Sequence, residues 1–427
     1  MMKKAEVDRA IAMCNRCGFC QVACPTFRAT GHEAGVARGR LALLRALSED
    51  RLEWSPDLEE PLFACLLCGA CTTNCFPAVP TADLVVDARE AYLEKVGRKR
   101  LHKLLFEELL PYPNRLRRAA RAVSLGKNTG LSRVARALGL LRIFGRDFPK
   151  SEEIIGKMPG YALRERFEPG TLEGRGQDLS IGYFVGCGME IMNPVAAEAS
   201  LDLLRETAGQ VHVLDNRCCG LPAWSYGDRR AAGRLARENL EILASGPFDR
   251  IVTDCSSCAS FLKKYPDQFA EGDPLHGQAK AAASKVRDMV ELVRSIPLPP
   301  LGGGEPVVVT YHDPCHASRG QGLVREPREI LRSLPGVEYR ELPEADWCCG
   351  GAGSYALSHF EIAVKVLERK IDNVEKTGAN VLATSCPACI VQLSYGVRKR
   401  GLPVHVCHLS ELLRDRLPGL RAPVADP

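Results

Sequence analysis

The stretch that decides the fold reads Asp346-Trp-Cys-Cys-Gly-Gly-Ala-Gly-Ser-Tyr355. Two adjacent cysteines, Cys348 and Cys349, run straight into glycines. Neighbouring cysteines rarely bridge to each other, because the geometry of a disulfide is too tight for them. They can both turn sulfur toward one multi-iron cluster, and glycine lets the backbone approach it closely. A matching Cys218-Cys219-Gly220 stands far upstream.

Working outward from each pair, the chain repeats itself. The first copy has Leu179-Ser-Ile-Gly-Tyr-Phe-Val-Gly-Cys187, then Cys218-Cys219-Gly220, then Arg250-Ile-Val-Thr-Asp-Cys255-Ser-Ser-Cys258. The second has Val307-Val-Val-Thr-Tyr-His-Asp-Pro-Cys315-His316, then Cys348-Cys349-Gly350, then Val381-Leu-Ala-Thr-Ser-Cys386-Pro-Ala-Cys389. The spacings are C-x30-CC-x35-C-x2-C and C-x32-CC-x36-C-x2-C. Each cysteine group follows a short apolar run that reads as a strand, and helical segments follow at Ala196–Thr207, Arg229–Ala244 and Ile362–Thr377. Such alternation predicts a parallel sheet in each copy, with the loops at the strand ends converging on a crevice. Cys187, Cys218, Cys219, Cys255 and Cys258, and Cys315, Cys348, Cys349, Cys386 and Cys389, are therefore the candidate metal ligands. Zinc or plain buried thiols are the alternatives. The run Pro297-Leu-Pro-Pro-Leu-Gly-Gly-Gly304 divides the copies.

Upstream lie two quartets. Cys14-Asn-Arg-Cys17-Gly-Phe-Cys20-Gln-Val-Ala-Cys24-Pro25 is the C-x2-C-x2-C-x3-C-P run of bacterial [4Fe-4S] proteins. Cys65-Leu-Leu-Cys68-Gly-Ala-Cys71-Thr-Thr-Asn-Cys75 repeats it, with the proline one residue late at Pro77. In such runs the fourth cysteine ligates the other cluster, which assigns Cys14, Cys17, Cys20 and Cys75 to one cubane cluster and Cys24, Cys65, Cys68 and Cys71 to a second. Zinc takes four ligands from paired C-x2-4-C units, not from two runs of four. Helical patterns fill the insertion between the quartets, at Ala37–Leu47 and Asp57–Ala64.

From Asp83 to about Asp147 the chain reads helical and basic, with Arg98-Lys-Arg-Leu-His-Lys103 and Arg115-Leu-Arg-Arg118 interleaved with leucines. It is expected as a connecting arm whose basic face meets solvent, a partner subunit or an anionic membrane. Glu168–Asp178 reads as a linker. The whole chain has 427 residues, 45% hydrophobic and 26% charged, an ordinary globular composition for roughly two to four domains. A net charge of +5 gives no case for nucleic acid. No apolar core of signal-peptide length opens the sequence, and most of the nineteen cysteines stand in metal-type spacings, so a cytoplasmic location is expected.

The five-cysteine sets resemble the cysteine-rich CCG domain, seen in the heterodisulfide reductase subunit that cleaves disulfides. The quartet module resembles the helical ferredoxin domains of succinate dehydrogenase iron-sulfur subunits. Fused in this order, the parts resemble the iron-sulfur subunits of glycolate oxidase, lactate oxidation systems and anaerobic glycerol-3-phosphate dehydrogenase. Tyr311-His-Asp-Pro-Cys-His316 with Cys348-Cys-Gly-Gly-Ala-Gly-Ser-Tyr355 looks most like the glycolate/lactate group. The resemblance implies an α+β multidomain fold: an N-terminal α-helical ferredoxin domain with two [4Fe-4S] sites over 1–82, a basic helical connector over 83–177, and two repeated α/β CCG domains over 178–300 and 305–420. It implies two cubane [4Fe-4S] clusters and one or two further noncubane ones. No G-x-G-x-x-G follows a strand, so no flavin is expected in this chain; hydride removal from a hydroxy acid then calls for an FAD-containing oxidase subunit, with a quinone or other carrier as acceptor. The alternative is a heterodisulfide or disulfide reductase subunit. His316 and His312 are the catalytic candidates, as proton donors or hydrogen-bond donors to cluster sulfur, and Asp313 is a third candidate beside them. Trp224 and Trp347 flank the cysteine pairs and are expected to exclude water. Cys407 is left over, as a plain buried cysteine.

Overall fold

The computed structural model describes residues 4–145, 147–353 and 355–418. Ser354, within the second cysteine-pair stretch, lies outside them, as do the first three residues and residues 419–420 of the expected outer domains.

The N-terminal part is helical. Lys4–Ala12, Ala37–Ser48, Glu59–Phe63 and Thr81–Lys95 bury Ile11, Leu41, Leu44, Leu62, Leu84 and Tyr92 against one another. Both helical patterns between the quartets are found. Each quartet loop makes the same turn. The residue before its second cysteine, Arg16 or Leu67, is left-handed at φ 54° or 51°, and the glycine after that cysteine continues the bend. Left-handed backbone costs about 1–2 kcal/mol for a residue with a Cβ, so two copies of it mark a loop shaped for something it encloses.

The connector helices run Arg100–Leu104, with a π-turn at Leu105–Leu109, then Pro113–Asn128 and Leu131–Ala137. One residue of the expected basic face turns inward: Arg117 reaches Glu190 at 2.8 Å, and Glu190, only 1% exposed, also pairs with Arg164. Removing one partner of an ion pair that deep would leave a buried charge uncompensated, so Arg117 is committed to the core.

Two sheets follow. The first contains β1 (Gly170–Glu173), β2 (Gln177–Tyr183), β3 (Ala208–Val213), β4 (Arg250–Thr253) and β5 (Val286–Asp288), in the order β1-β3-β2-β4-β5. The second contains β6 (Val307–Tyr311), β7 (Val337–Tyr339), β8 (Val381–Thr384) and β9 (His405–His408), in the order β7-β6-β8-β9. Without β1 the two orders are the same, so the cysteine repeat is a repeat of architecture. The second sheet is wholly parallel; in the first, β1 pairs antiparallel with β3 at the edge. The segment expected as a linker is thus partly a strand. Gly174 and Gly176 explain it: a Cβ at either would meet the Thr207–Ala208 backbone within 2.1 Å, so only glycine lets the chain pass this close and pair.

The two repeats press their strand ends together. Ser256 N donates to Ser385 O at 3.0 Å, the two hydroxyls lie 2.8 Å apart, and Tyr311 OH is 2.9 Å from Ser385 Oγ. Among the described residues no helix is long and apolar enough to cross a membrane.

Candidate metal centres

Cys24, Cys65, Cys68 and Cys71 line one small cavity, together with Thr81 and Arg40. Burial pushes the Cys71 thiol up to about 12. Arg40 is 1% exposed; its Nε donates to Pro61 O at 2.6 Å, while Nη2 has no hydrogen-bond partner among the described residues. A buried guanidinium N–H without an acceptor is costly, and an anionic group in the cavity supplies one. Four thiols and a spare cation fit an iron-sulfur cluster held by thiolates. The other quartet is more open. Cys20 lies within electrostatic reach of Cys14, Cys14 and Cys75 pack on the same helical core, and Cys17 is exposed.

In the α/β part the sulfurs form a file. Cys187 Sγ lies 3.7 Å from Cys218 Sγ, and thiol contacts continue from Cys218 to Cys219, from Cys219 to Cys258, and from Cys258 to Cys255. In the second set Cys315 touches Cys348, Cys348 touches Cys349, Cys349 Sγ lies 3.4 Å from Cys389 Sγ, and Cys389 touches Cys386. The sets do not stand apart at separate sheet edges. Cys255 touches Cys386 across the interface of the repeats, and Cys68 of the inner quartet touches Cys348. None of the nineteen cysteines forms a disulfide, and Cys407, in β9, is buried.

Local structure places these groups. Cys187 and Cys315 are the first residues of the helices Cys187–Met192 and Cys315–Gln321, and Cys255 and Cys386 immediately precede the helices Ser256–Leu262 and Pro387–Arg400.

The polar groups gather unevenly. His312 is 1% exposed, and one of its ring nitrogens lies within 4.8 Å of both Cys349 Sγ and Cys389 Sγ. His316 Nδ1 is 2.8 Å from Ser257 Oγ, which lies 3.4 Å from Cys386 Sγ, and burial lowers this imidazole's pKa. Asp313, the third candidate, is taken up by a two-pronged pair with Arg328 at 2.9 Å. Trp347 is buried, with Nε1 donating to Val366 O, and Trp224 packs on Phe261.

Three charged neighbours had not been singled out from the sequence: Arg40, Arg319 and Lys370. Arg319 bridges the junction, donating to Cys68 O and to Asp346 at 2.7 Å. Lys370 is fully buried, its ammonium donates to the carbonyls of Glu344 and Ala345, and burial draws it down to about 8. Its signal was available: Val366, Lys370 and Val374 fall at four-residue steps on one helix, a lysine in an apolar stripe.

Comparison with known proteins matches each part of the chain to a family. A family model described as "4Fe-4S dicluster domain" matches residues 10–78, one described as "Cysteine-rich domain" matches 181–263 and 309–394, and "Glycolate oxidase iron-sulfur subunit, linker region" matches 97–155. The chain is 31% identical to the "Probable glycolate oxidase iron-sulfur subunit" of Bacillus subtilis, over 94% of this chain and 93% of that one. It is 26% identical to the "Glycolate oxidase iron-sulfur subunit" of Escherichia coli, over 91% of each. With a chain of the CoM/CoB fumarate reductase of Methanothermobacter marburgensis it shares 33% over 57% of this chain and 48% of that one.

Proposed function

The chain belongs to the glycolate oxidase iron-sulfur subunit family, and from that premise we propose that it carries electrons from an FAD-containing oxidase subunit acting on glycolate or lactate to a quinone or other acceptor. As a family member it is the iron-sulfur subunit of an oxidoreductase complex. Iron-sulfur clusters, when bound, supply one-electron transfer that side chains cannot. In this reading two cubane clusters take the eight quartet cysteines as assigned above, and further clusters take the two five-cysteine sets. The domain limits proposed for them are 1–82, 178–300 and 305–420, with β1 added to the first α/β unit.

The observation that supports it is the unbroken file of thiols. From the inner quartet it passes through Cys68 to Cys348, along the second set to Cys386, and across to Cys255 and the first set. The exposed Cys17 gives the far end of the chain a place to meet a partner. Around the file Trp347, Tyr355 and Phe261 exclude water, and Arg40, Arg319 and Lys370 bring positive charge. A cytoplasmic position, held against an anionic membrane by the connector, completes the reading.

A second reading, reduction of a disulfide at one five-cysteine set, draws on the completeness of both sets and on the likeness to the methanogen fumarate reductase chain. Anaerobic purification with iron, sulfide and zinc analysis, then dye-reduction assays with glycolate, D- and L-lactate and thiol–disulfide pairs, tests both. The first reading expects iron and sulfide, and hydroxy-acid oxidation only when a flavoprotein co-purifies. A zinc-only preparation overturns both readings, and disulfide turnover without flavoprotein favours the second.

A further inference from the structure

The two five-cysteine sites share an architecture but differ in what faces the sulfurs. At the end of β2 the chain reads Tyr183-Phe-Val-Gly-Cys187; at the end of β6 it reads Tyr311-His-Asp-Pro-Cys315. His312 thus stands where the first repeat has Phe184, and both are buried. The residues facing each other across the repeats differ in the same sense. Gly188 packs on Pro387, where a Cβ would come within 3.0 Å, while the corresponding His316 faces Ser257. At these two positions the first set has Phe184 and Gly188, while the second has two imidazoles, both beside its sulfurs.

His316 has an oxygen partner; His312 does not. Neither Nδ1 nor Nε2 of His312 meets an oxygen or nitrogen partner among the described residues, and the ring interacts instead with the Cys349 thiol. The backbone of His312 is fully used, its N–H donating to Ala383 O and its carbonyl accepting from Thr384 Oγ1, so the ring is held in place. A buried imidazole whose nearest partner is a thiol is poorly satisfied, because thiol sulfur is a weak hydrogen-bonding group. What lies within reach is sulfur: one nitrogen, Cys349 Sγ and Cys389 Sγ are mutually within 4.8 Å, the arrangement of three donors around one metal atom. Neutral imidazole is a good ligand for iron, and a mixed nitrogen–sulfur donor set raises the potential of an iron-sulfur centre above that of an all-sulfur one.

The geometry points to His312 as a nitrogen ligand of the metal centre held by Cys315, Cys348, Cys349, Cys386 and Cys389, making this a mixed nitrogen–sulfur site where the first set, with Phe184, offers sulfur alone. This rests on the cluster reading proposed above and deepens it. The two repeats then hold centres of different potential, the second being the easier to reduce, and it is the one that touches the inner quartet.

Pulsed EPR on the anaerobic, metal-loaded whole chain tests it, comparing protein grown with unlabelled and 15N-labelled histidine. The expected result is a coupling of directly bound nitrogen that shifts with the label, belongs to the signal removed by Cys348→Ser, and is lost in His312→Phe. That variant places in the second site the residue the first already accommodates. If Cys348→Ser removes the signal but labelling shows no bound nitrogen, or His312→Phe leaves the coupling intact, the assignment of His312 is overturned while the cluster reading stands. If Cys348→Ser leaves every signal unchanged, the cluster reading itself falls, and the assignment with it. The labelled wild-type protein gives its answer even where the variant does not fold.

Discussion

At the scale of single residues, Gly350 has no substitute. Its φ is 83°, and a Cβ would lie 2.6 Å from the carbonyl oxygen of Ala363, a backbone atom that cannot swing aside. The glycine of the Cys-Cys-Gly motif is therefore a packing requirement between the cysteine pair and the helix Phe360–Thr377 behind it. Gly401, at φ 66° with open space around its Cβ position, separates the two costs. Gly401→Ala should lose about 1–2 kcal/mol for the left-handed backbone alone. Gly350→Ala should lose that and about 1–3 kcal/mol more for overpacking. Urea unfolding of the anaerobic protein measures both, and equal losses would remove the close approach as an explanation. Candidates of this kind can be named from the sequence because the pattern is local: spacing singles out eighteen of the nineteen cysteines as candidate ligands, and the place of His312 and His316 beside Cys315 singles out these two. Arg40, Arg319 and Lys370 were not, because their meaning comes from thiols brought beside them by distant parts of the chain.

At the scale of elements, the connector is the informative case. Its basic composition was plain, but Arg117 turned out to belong to a buried ion pair, and what remains outside is as apolar as it is basic. Leu125, Leu131, Leu138 and Ile143 are each more than 60% exposed, interleaved with exposed Arg118, Arg133 and Arg142. Apolar side chains set among arginines suit an anionic bilayer surface, where the chains enter the interface and the guanidinium groups meet lipid phosphate. Leu138→Asp combined with Ile143→Asp should leave unfolding unchanged, since neither side chain is packed. Each lost insertion removes about 1.5–3 kcal/mol, so binding to vesicles of mixed neutral and anionic lipid should fall at least tenfold in a sedimentation assay. Wild-type protein that stays in the supernatant, or a variant that still sediments, would sink the membrane reading and leave a protein partner for this face. The strands before the cysteines and the helices Ala37–Ser48, Pro194–Thr207, Arg229–Ser245 and Phe360–Thr377 were readable from periodicity, whereas Pro274–Lys285 and Pro387–Arg400 were not read from the sequence. The strands β1 and β5 were not. Gly170-Thr-Leu-Glu173 and Val286-Arg-Asp288 are too short to show alternation, and pairing with an existing sheet, not propensity, makes them strands.

At the scale of the whole molecule, the thiol file exists only if the helical module and the two repeats keep a fixed arrangement, and Arg89 holds one of those joints. It is 5% exposed, and its guanidinium donates to the carbonyls of Leu62, Phe63 and Cys65 within the helical module and to Ser225 O of the first repeat. Arg229 pairs with Asp87 and Glu90 beside it, and Tyr355 OH donates to Ala64 O at 3.0 Å from the second repeat. Burial lowers the Arg89 pKa only to about 10, so it stays charged at neutral pH and its four carbonyls satisfy that charge. Arg89→Met keeps the length and apolar stem of the side chain and strands those oxygens. The expected loss is about 3–5 kcal/mol, the scale for breaking a buried charged network. One of the lost bonds, to Ser225 O, joins the helical module to the first repeat and the others brace the module itself, so one cooperative melt should split into two, the helical module losing its structure first. Limited proteolysis should then cut near residues 97–100, releasing the quartets from the repeats. An Arg89→Met protein that still melts in one step at an unchanged temperature would mean that the other links between the modules, the Arg229 ion pairs and the Tyr355–Ala64 bond among them, hold them together, and the contact of Cys68 with Cys348 would then survive without this joint.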